Sequence, residues 1–200
     1  LVEDGRYCVV GDTAAFASGG ARFAAADYLE NIEEYAVDHS AARFSRRTST
    51  KKNITTSALA RINLSWNELS HPVRNPFLNN VAQAVELVDV CVRCEAMLRW
   101  LAFGEGTSKP VEFEVRAGRG VGMTEAPRGT LIHELEIGED GRVKHASIIT
   151  PTIHNLGDTE SSVRTLAELM AEQGACEEEI RLEVGKLVRA YDPCLSCSVH

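Results

Sequence analysis

Nowhere in these 200 residues is there an apolar run long enough to cross a bilayer, so no membrane-spanning helix is expected. Nor is there an excess of positive charge. The formal net charge of -8 argues against a nucleic-acid partner, since such proteins usually present a basic face. The first residues, Leu1-Val2-Glu3-Asp4-Gly5, lack the positive start and apolar stretch of a signal peptide. An initiating Met is missing too, which implies that the chain begins inside a longer gene product. Internal repeats and low-complexity tracts are absent. The glycines at 118, 120 and 122 are not set in a strand-to-helix unit of the right spacing, so they make no dinucleotide fingerprint and read as a flexible loop.

What is present is ordinary for a soluble globular protein: 44% apolar and 25% charged residues. The length allows one large domain or two small ones, and a single domain spanning residues 1–200 is expected. The six cysteines are Cys8, Cys91, Cys94, Cys176, Cys194 and Cys197. Without a secretion signal, paired cysteines point to metal or redox chemistry rather than a disulfide framework, and the cytoplasm is the expected compartment.

The hydropathy pattern predicts an alanine-rich helix over Ala21 to Val37 and a solvated or partner-facing basic stretch over Arg43 to Lys52. A short helix is expected over Ile54 to Leu64, and Pro72 and Pro76 break the pattern beyond it. Asn79 to Phe103 is the clearest helix: Ala84, Leu87, Cys91, Cys94, Leu98 and Leu101 recur at steps of three and four. Lys109-Pro110 ends it. Leu131 to Ile137 and Arg142 to Ile149, separated by Gly138-Glu139-Asp140-Gly141, read as a β-hairpin. A turn at Asn155-Leu156-Gly157-Asp158 leads to a helix from about Ser161 to Glu172. A last helix, Glu177 to Arg189, delivers the tail. The expected class is α+β, mainly helical, with a small antiparallel hairpin.

The tail, Asp192-Pro193-Cys194-Leu195-Ser196-Cys197-Ser198-Val199-His200, carries the chemistry. Two thiolates three residues apart on a turn can grip one soft transition metal. The bland alternatives are two reduced core cysteines or a surface disulfide. Chain ends normally fray, so a metal site here needs something to hold the end in place. Cys91 and Cys94 form a second C-x-x-C and could complete a four-cysteine zinc site. The helical stripe favours core packing instead, because free cysteine behaves as a small hydrophobe. Arg128, between Pro127 and Gly129, is either an exposed loop arginine or a rigid donor fork aimed at an anionic or metal-bound ligand. Thr152 could hydrogen-bond a small ligand. His154 reads as a structural histidine.

The tail resembles the mature C-terminus of the large subunit of nickel-iron hydrogenases, and other segments agree in order. Ser57-Ala58-Leu59-Ala60-Arg61-Ile62-Asn63 resembles the family's G-A-L-A-R segment. Asn79-Asn80-Val81-Ala82-Gln83-Ala84-Val85-Glu86 resembles its long central helix. Glu125-Ala126-Pro127-Arg128-Gly129 is similar to the segment that roofs the metals, and Pro151-Thr152-Ile153-His154-Asn155 to its P-T-T-x-N stretch. The style is that of the cytoplasmic group, resembling the non-deazaflavin-reducing, viologen-reducing type.

The resemblance implies a nickel-iron centre with carbonyl and cyanide on the iron, and reversible heterolytic cleavage of dihydrogen. Cys194 would be a terminal nickel ligand and Cys197 would bridge the two metals. His200 and the Ile148 carbonyl would bind a magnesium ion. Arg128 would lie over the open face of the metals with Asp192 joined to it. Pro127 and Thr152 would line the pocket of the iron's diatomic ligands, Thr152 bonding a cyanide. Family members lose a C-terminal extension after nickel insertion, and an ending at His200 resembles the processed form. The family's other C-x-x-C, in an R-x-C-G-x-C context, is not found here. Arg6-Tyr7-Cys8 does not fit it, and neither do Cys91 and Cys94. The resemblance therefore implies half of a four-thiolate site, with three alternatives: one piece of a split large subunit, completed by a chain carrying the N-terminal half; a fragment of a longer chain; or a chain that has lost the metal. It further implies a small subunit holding iron-sulfur clusters, and additional electron-transfer subunits. The competing readings are a non-catalytic homologue, akin to the quinone-module subunit of respiratory complex I, and a zinc-stabilised interaction module.

Overall fold

The computed structural model describes residues 1–3, 6–17, 22–65, 72–104 and 112–199. Two short hairpins open the chain, β1 (Val2–Glu3) with β2 (Arg6–Tyr7) and β3 (Thr13–Ala15) with β4 (Arg22–Ala24). After a single helical turn, α1 (Tyr28–Asn31), comes a third antiparallel pair, β5 (Ile32–Val37) and β6 (Ser40–Arg47). Helix α2 (Ala58–Ser65) precedes the long α3 (Asn79–Phe103). The antiparallel sheet β7 (Gly118–Ala126), β8 (Gly129–Ile137) and β9 (Val143–Ile149) comes next. Helices α4 (Pro151–Glu172) and α5 (Glu177–Tyr191) lead to a 3-10 turn at Leu195–Cys197. The fold is mixed α and β with helix predominating, as expected, but its sheet component exceeds one hairpin.

Of the expected helix over residues 21–37, only Ala25–Asp27 (a 3-10 turn) and α1 are helical among the described residues. Its second half is β5, where Ile32 and Tyr35 pair across to Arg47 and Phe44. The alanines favour a helix in isolation, but cross-strand pairing and burial override propensity. The first half of the stretch read as a solvated basic loop or partner-facing patch, residues 43–47, belongs to β6. Arg46 binds the Glu33 carboxylate (Nε–Oε1 2.6 Å) and lies over the Tyr35 ring, while Arg47 lies over Phe16. These guanidiniums use their flat faces on aromatics and, in Arg46, an edge on a carboxylate, so charge alone misdirects the reading.

The glycine loop is likewise a strand. Gly118, Gly120 and Gly122 recur at period two along β7, and an added Cβ at any of them would meet nothing within 4 Å. Met123 points from the opposite face of this strand into the core. On the neighbouring β8 the buried residues include Ile132 and Glu134. Glu134 is tolerated there because Arg119 (Nε–Oε1 2.5 Å) and the Tyr28 hydroxyl (2.7 Å) satisfy its oxygens; the hydrogen bond from Arg119 above all holds its carboxyl below the usual range.

Helix α4 starts ten residues before its expected beginning. Pro151 occupies its first turn, where the missing N–H costs nothing, and the supposed turn at residues 155–158 is helical. The core gathers under this helix: Tyr28, Ile32, Ile54, Met123, Ile132, Ile149 and Ile153. Each fully buried isoleucine contributes about 2 kcal/mol by removal from water.

Helix α3 has the expected bounds but not the expected burial. Asn79 and Ala82 are covered, the Asn79 amide donating to the Ala190 carbonyl of α5 at 2.6 Å. From Leu87 to Phe103 every residue is exposed. Cys91 and Cys94, expected to pack in a core, are therefore open to solvent in this chain, because their helix extends beyond any described neighbour that could cover it. Lys109-Pro110, expected to end this helix, lie outside the described residues.

Candidate metal centre

Helix α5 ends abruptly, and that ending aims the tail. Asp192 adopts a left-handed conformation (φ 49°), which its short polar side chain tolerates better than most, and Pro193 forbids a further helical turn. The chain reverses towards the N-terminus of α4. There the Cys194 amide donates to the Thr152 hydroxyl at 3.2 Å. Three residues on, the Thr150 hydroxyl donates to the Cys197 carbonyl at 2.8 Å. The Arg43 amide of β6 donates to the Ser198 carbonyl at 2.8 Å, Val199 pairs with Ala42, and Ser198 is wholly buried. The tail is thus pinned on both sides of the cysteines.

Cys194 is half-buried and Cys197 exposed, and the structure joins their sulfurs as a disulfide, with Cα atoms 5.3 Å apart. This is the disulfide alternative, and it excludes metal binding only while the bond lasts. Reduced, the same convergence presents two soft thiolates to one ion, the donor type suited to nickel or iron. Among the described residues no group of three or more His, Cys, Asp or Glu could hold a metal. The donor set fits such a centre in kind.

The expected pairing of Arg128 with Asp192 is present. Arg128 Nε donates to the Asp192 carbonyl at 2.7 Å, and Nη2 to Asp192 Oδ1 at 3.2 Å. Both side chains are partly exposed, so the pair fixes geometry more than it adds stability. The turn carrying Arg128 is held along three successive carbonyls. Arg61 binds those of Ala126 and Pro127 (3.2 and 2.9 Å), and the Asn155 side chain that of Arg128 (3.1 Å). Asn155 also accepts from the Thr56 amide at 2.8 Å. Gly129 completes the turn at φ 132°, with an ideal Cβ only 1.9 Å from the Thr56 carbonyl, so no side chain fits.

Thr152 is buried, and its hydroxyl oxygen accepts from Cys194, which leaves its own hydrogen to donate elsewhere. Pro127 is exposed, with its carbonyl committed to Arg61. Ile148 lies on β9, two residues before Thr150 and opposite His133. His200 lies outside the described residues. His154 is fully buried against Ser45 (Nδ1–Oγ 2.7 Å), as befits a structural histidine. Sequence reasoning missed Thr150 and the β6 backbone that docks the tail, and gave Asn155, though named in the P-T-T-x-N resemblance, no role. Thr150-Pro151 did carry a signal, since a Thr-Pro pair before a helical pattern marks an N-terminus.

Comparison with known proteins bears on the same region. The family model described as nickel-dependent hydrogenase matches residues 36–200. The alpha chain of sulfhydrogenase 1 from Pyrococcus furiosus is 36% identical over 97% of this chain and 47% of its own length. A vhu-type F420-non-reducing hydrogenase chain of Methanococcus voltae is 29% identical over 85% of this chain and 46% of its own. The chain thus spans about half the length of these curated relatives. Among solved structures, an NAD+-reducing [NiFe]-hydrogenase in the H2-reduced state superposes with a TM-score of 0.76 at 25% identity, covering 89% of this chain and 43% of that one. The Ni-Fe-Se hydrogenase of D. vulgaris Hildenborough shares the fold at a TM-score of 0.58 and 20% identity, over 90% of this chain and 46% of that one. A pinned two-cysteine tail, an arginine turn facing it and a match over most of the sequence lead to one assignment: this chain belongs to the nickel-dependent hydrogenase family.

Proposed function

We infer that the chain is the C-terminal half of a nickel-iron hydrogenase catalytic subunit, acting in the reversible heterolytic cleavage of dihydrogen. The observation that carries this reading is the tail: Cys194 and Cys197 converge on one point, anchored by Thr152, Thr150 and β6. A metal centre is supported there by the donor chemistry and by family membership. When bound, the nickel-iron pair would polarise dihydrogen for heterolytic cleavage, which in all releases two protons and two electrons.

Each of this chain's residues then has a task. Cys194 and Cys197 would hold the metals from one side, and the released proton would go either to the Cys194 thiolate or to a group near Arg128. The Arg128 guanidinium, oriented by Asp192, supplies fixed positive charge, which would act strongly once the completed assembly excludes water from the site. The spare hydrogen of Thr152 is available to a cyanide on the iron, while Pro127 offers the pocket only its apolar ring. His200 and the Ile148 carbonyl would hold a magnesium ion beside the centre.

Two further thiolates must come from elsewhere. The N-terminal half of the large subunit, in the same polypeptide or in another chain, would bring them, and electrons would leave through iron-sulfur clusters of a small subunit. Further electron-transfer subunits accord with the names of the relatives, which are subunits of larger hydrogenases, and the setting would be cytoplasmic. Metal analysis and infrared spectroscopy of the purified complex test the reading together. Nickel and iron near one to one, with bands from iron-bound carbonyl and cyanide, are expected. Cys194→Ser should abolish dihydrogen oxidation. Zinc alone, or activity surviving that substitution, would overturn it.

A further inference from the structure

Arg61, on α2, uses every donor that a guanidinium has. Nε donates to Glu86 Oε1 at 2.6 Å, and Nη2 to Glu86 Oε2 at 2.7 Å and to the Pro127 carbonyl at 2.9 Å. Nη1 donates to Glu125 Oε2 and to the Ala126 carbonyl, each at 3.2 Å. The side chain is only 5% exposed. An arginine needed merely to neutralise buried carboxylates could do so with Glu86 and Glu125. This one commits two donors to the backbone carbonyls immediately preceding Arg128. Those contacts fix the peptide planes that set where the Arg128 side chain leaves the turn. A lysine in its place keeps the charge but has three donors and no planar fork, so it cannot hold both carboxylates and both carbonyls.

We propose that Arg61 is a positioning residue: anchored to α3 through Glu86, it clamps the Ala126 and Pro127 carbonyls and so holds the Arg128 guanidinium on Asp192 at the root of the cysteine tail. The consequence for turnover rests on the nickel-iron reading of that tail; the clamp itself does not. Arg61 touches no reacting group, so its influence passes through Arg128.

The test compares Arg61→Lys, Arg128→Lys and the double variant in the complete enzyme. Amide hydrogen exchange read by mass spectrometry should rise in the 125–129 turn and in the 192–197 tail for Arg61→Lys, but only in the tail for Arg128→Lys. In metal-loaded enzyme, Arg61→Lys should lower kcat by roughly ten- to a hundredfold, the scale expected when a polar group near the chemistry is displaced by about an ångström. KM for dihydrogen should change little. The double variant should lose no more than Arg128→Lys does, since the two act in series. If Arg61→Lys does not fold, Glu86→Gln, at the more exposed end of the clamp, should reproduce the exchange pattern at smaller amplitude. Unchanged exchange in the turn, or rate losses that simply multiply in the double variant, would overturn the proposal. Failure of the nickel-iron reading would show separately, as a wild-type enzyme without carbonyl and cyanide bands whose turn still loosens in Arg61→Lys.

Discussion

His154 shows how burial sets the behaviour of one residue. Its ring is completely enclosed, and desolvation pushes its pKa down to about 4 from an ordinary 6.5. Among the described residues only Ser45 bonds it, and Nε2 has no partner. The folded protein keeps this ring neutral while the unfolded chain takes up a proton below pH 6.5. Stability is therefore full above pH 6.5 and falls as the pH drops towards 4, by a total on the order of 3 kcal/mol. Denaturant titrations at a series of pH values should show that decline, and His154→Gln should flatten it across the same window. At this scale the sequence was informative about residue type and silent about partners. Cys194, Cys197, Arg128 and Asp192 stood out as reactive or charged groups beside prolines that stiffen their turns. Arg61 and Asn155, which hold the turn opposite the tail, lie 64 and 30 residues from Glu125, by position in the chain. No local pattern announces a contact of that range.

Among elements, α3 stands apart. Its exposed length carries Leu87, Val88, Val90, Val92, Met97, Leu98, Trp100, Leu101 and Phe103. Apolar residues on several sides of a helix mark one that is buried on those sides in its working state. On the proposed reading, the helix is expected to be covered in the assembled protein by the segment or chain that supplies the other thiolates. Maleimide labelling of Cys91 and Cys94 checks this: both thiols should resist the reagent in the native complex and react readily in the isolated chain. Equal reactivity in both would show the helix to be bare. The period of α3 was plain in the sequence because its pattern is regular over 25 residues. The reading of β5 and β6 failed for the opposite reason. Short strands declare themselves only through the neighbour they pair with, and alanine-rich composition argues for a helix when that neighbour is unseen.

The whole molecule places two sulfurs, an arginine turn and a hydroxyl-bearing helix start at one location. It does so from four places in the chain: the turn after β7, the start of α4, the end of α5 and the edge of β6. Two thiolates alone make a weak claim on a metal, because affinity rises steeply with the number of donors held in place. The isolated chain should accordingly lose nickel and iron to EDTA during dialysis, whereas the assembled enzyme should keep both; atomic absorption before and after dialysis distinguishes the cases. No helix among the described residues is long and apolar enough to cross a membrane.

The sequence by itself determined the donor chemistry and the long-period elements. Soft thiols at a spacing of three, a proline ahead of them and a helix period over 79–103 are written in adjacent residues. Only the tertiary structure decided what those groups face. It showed that α4 begins at Pro151, that the tail lies against β6, and that Arg61 holds the turn from which Arg128 reaches Asp192. Those outcomes depend on contacts between residues far apart in the chain. Such contacts form where burial compensates the entropy of bringing the segments together, and no window of neighbouring residues records that balance.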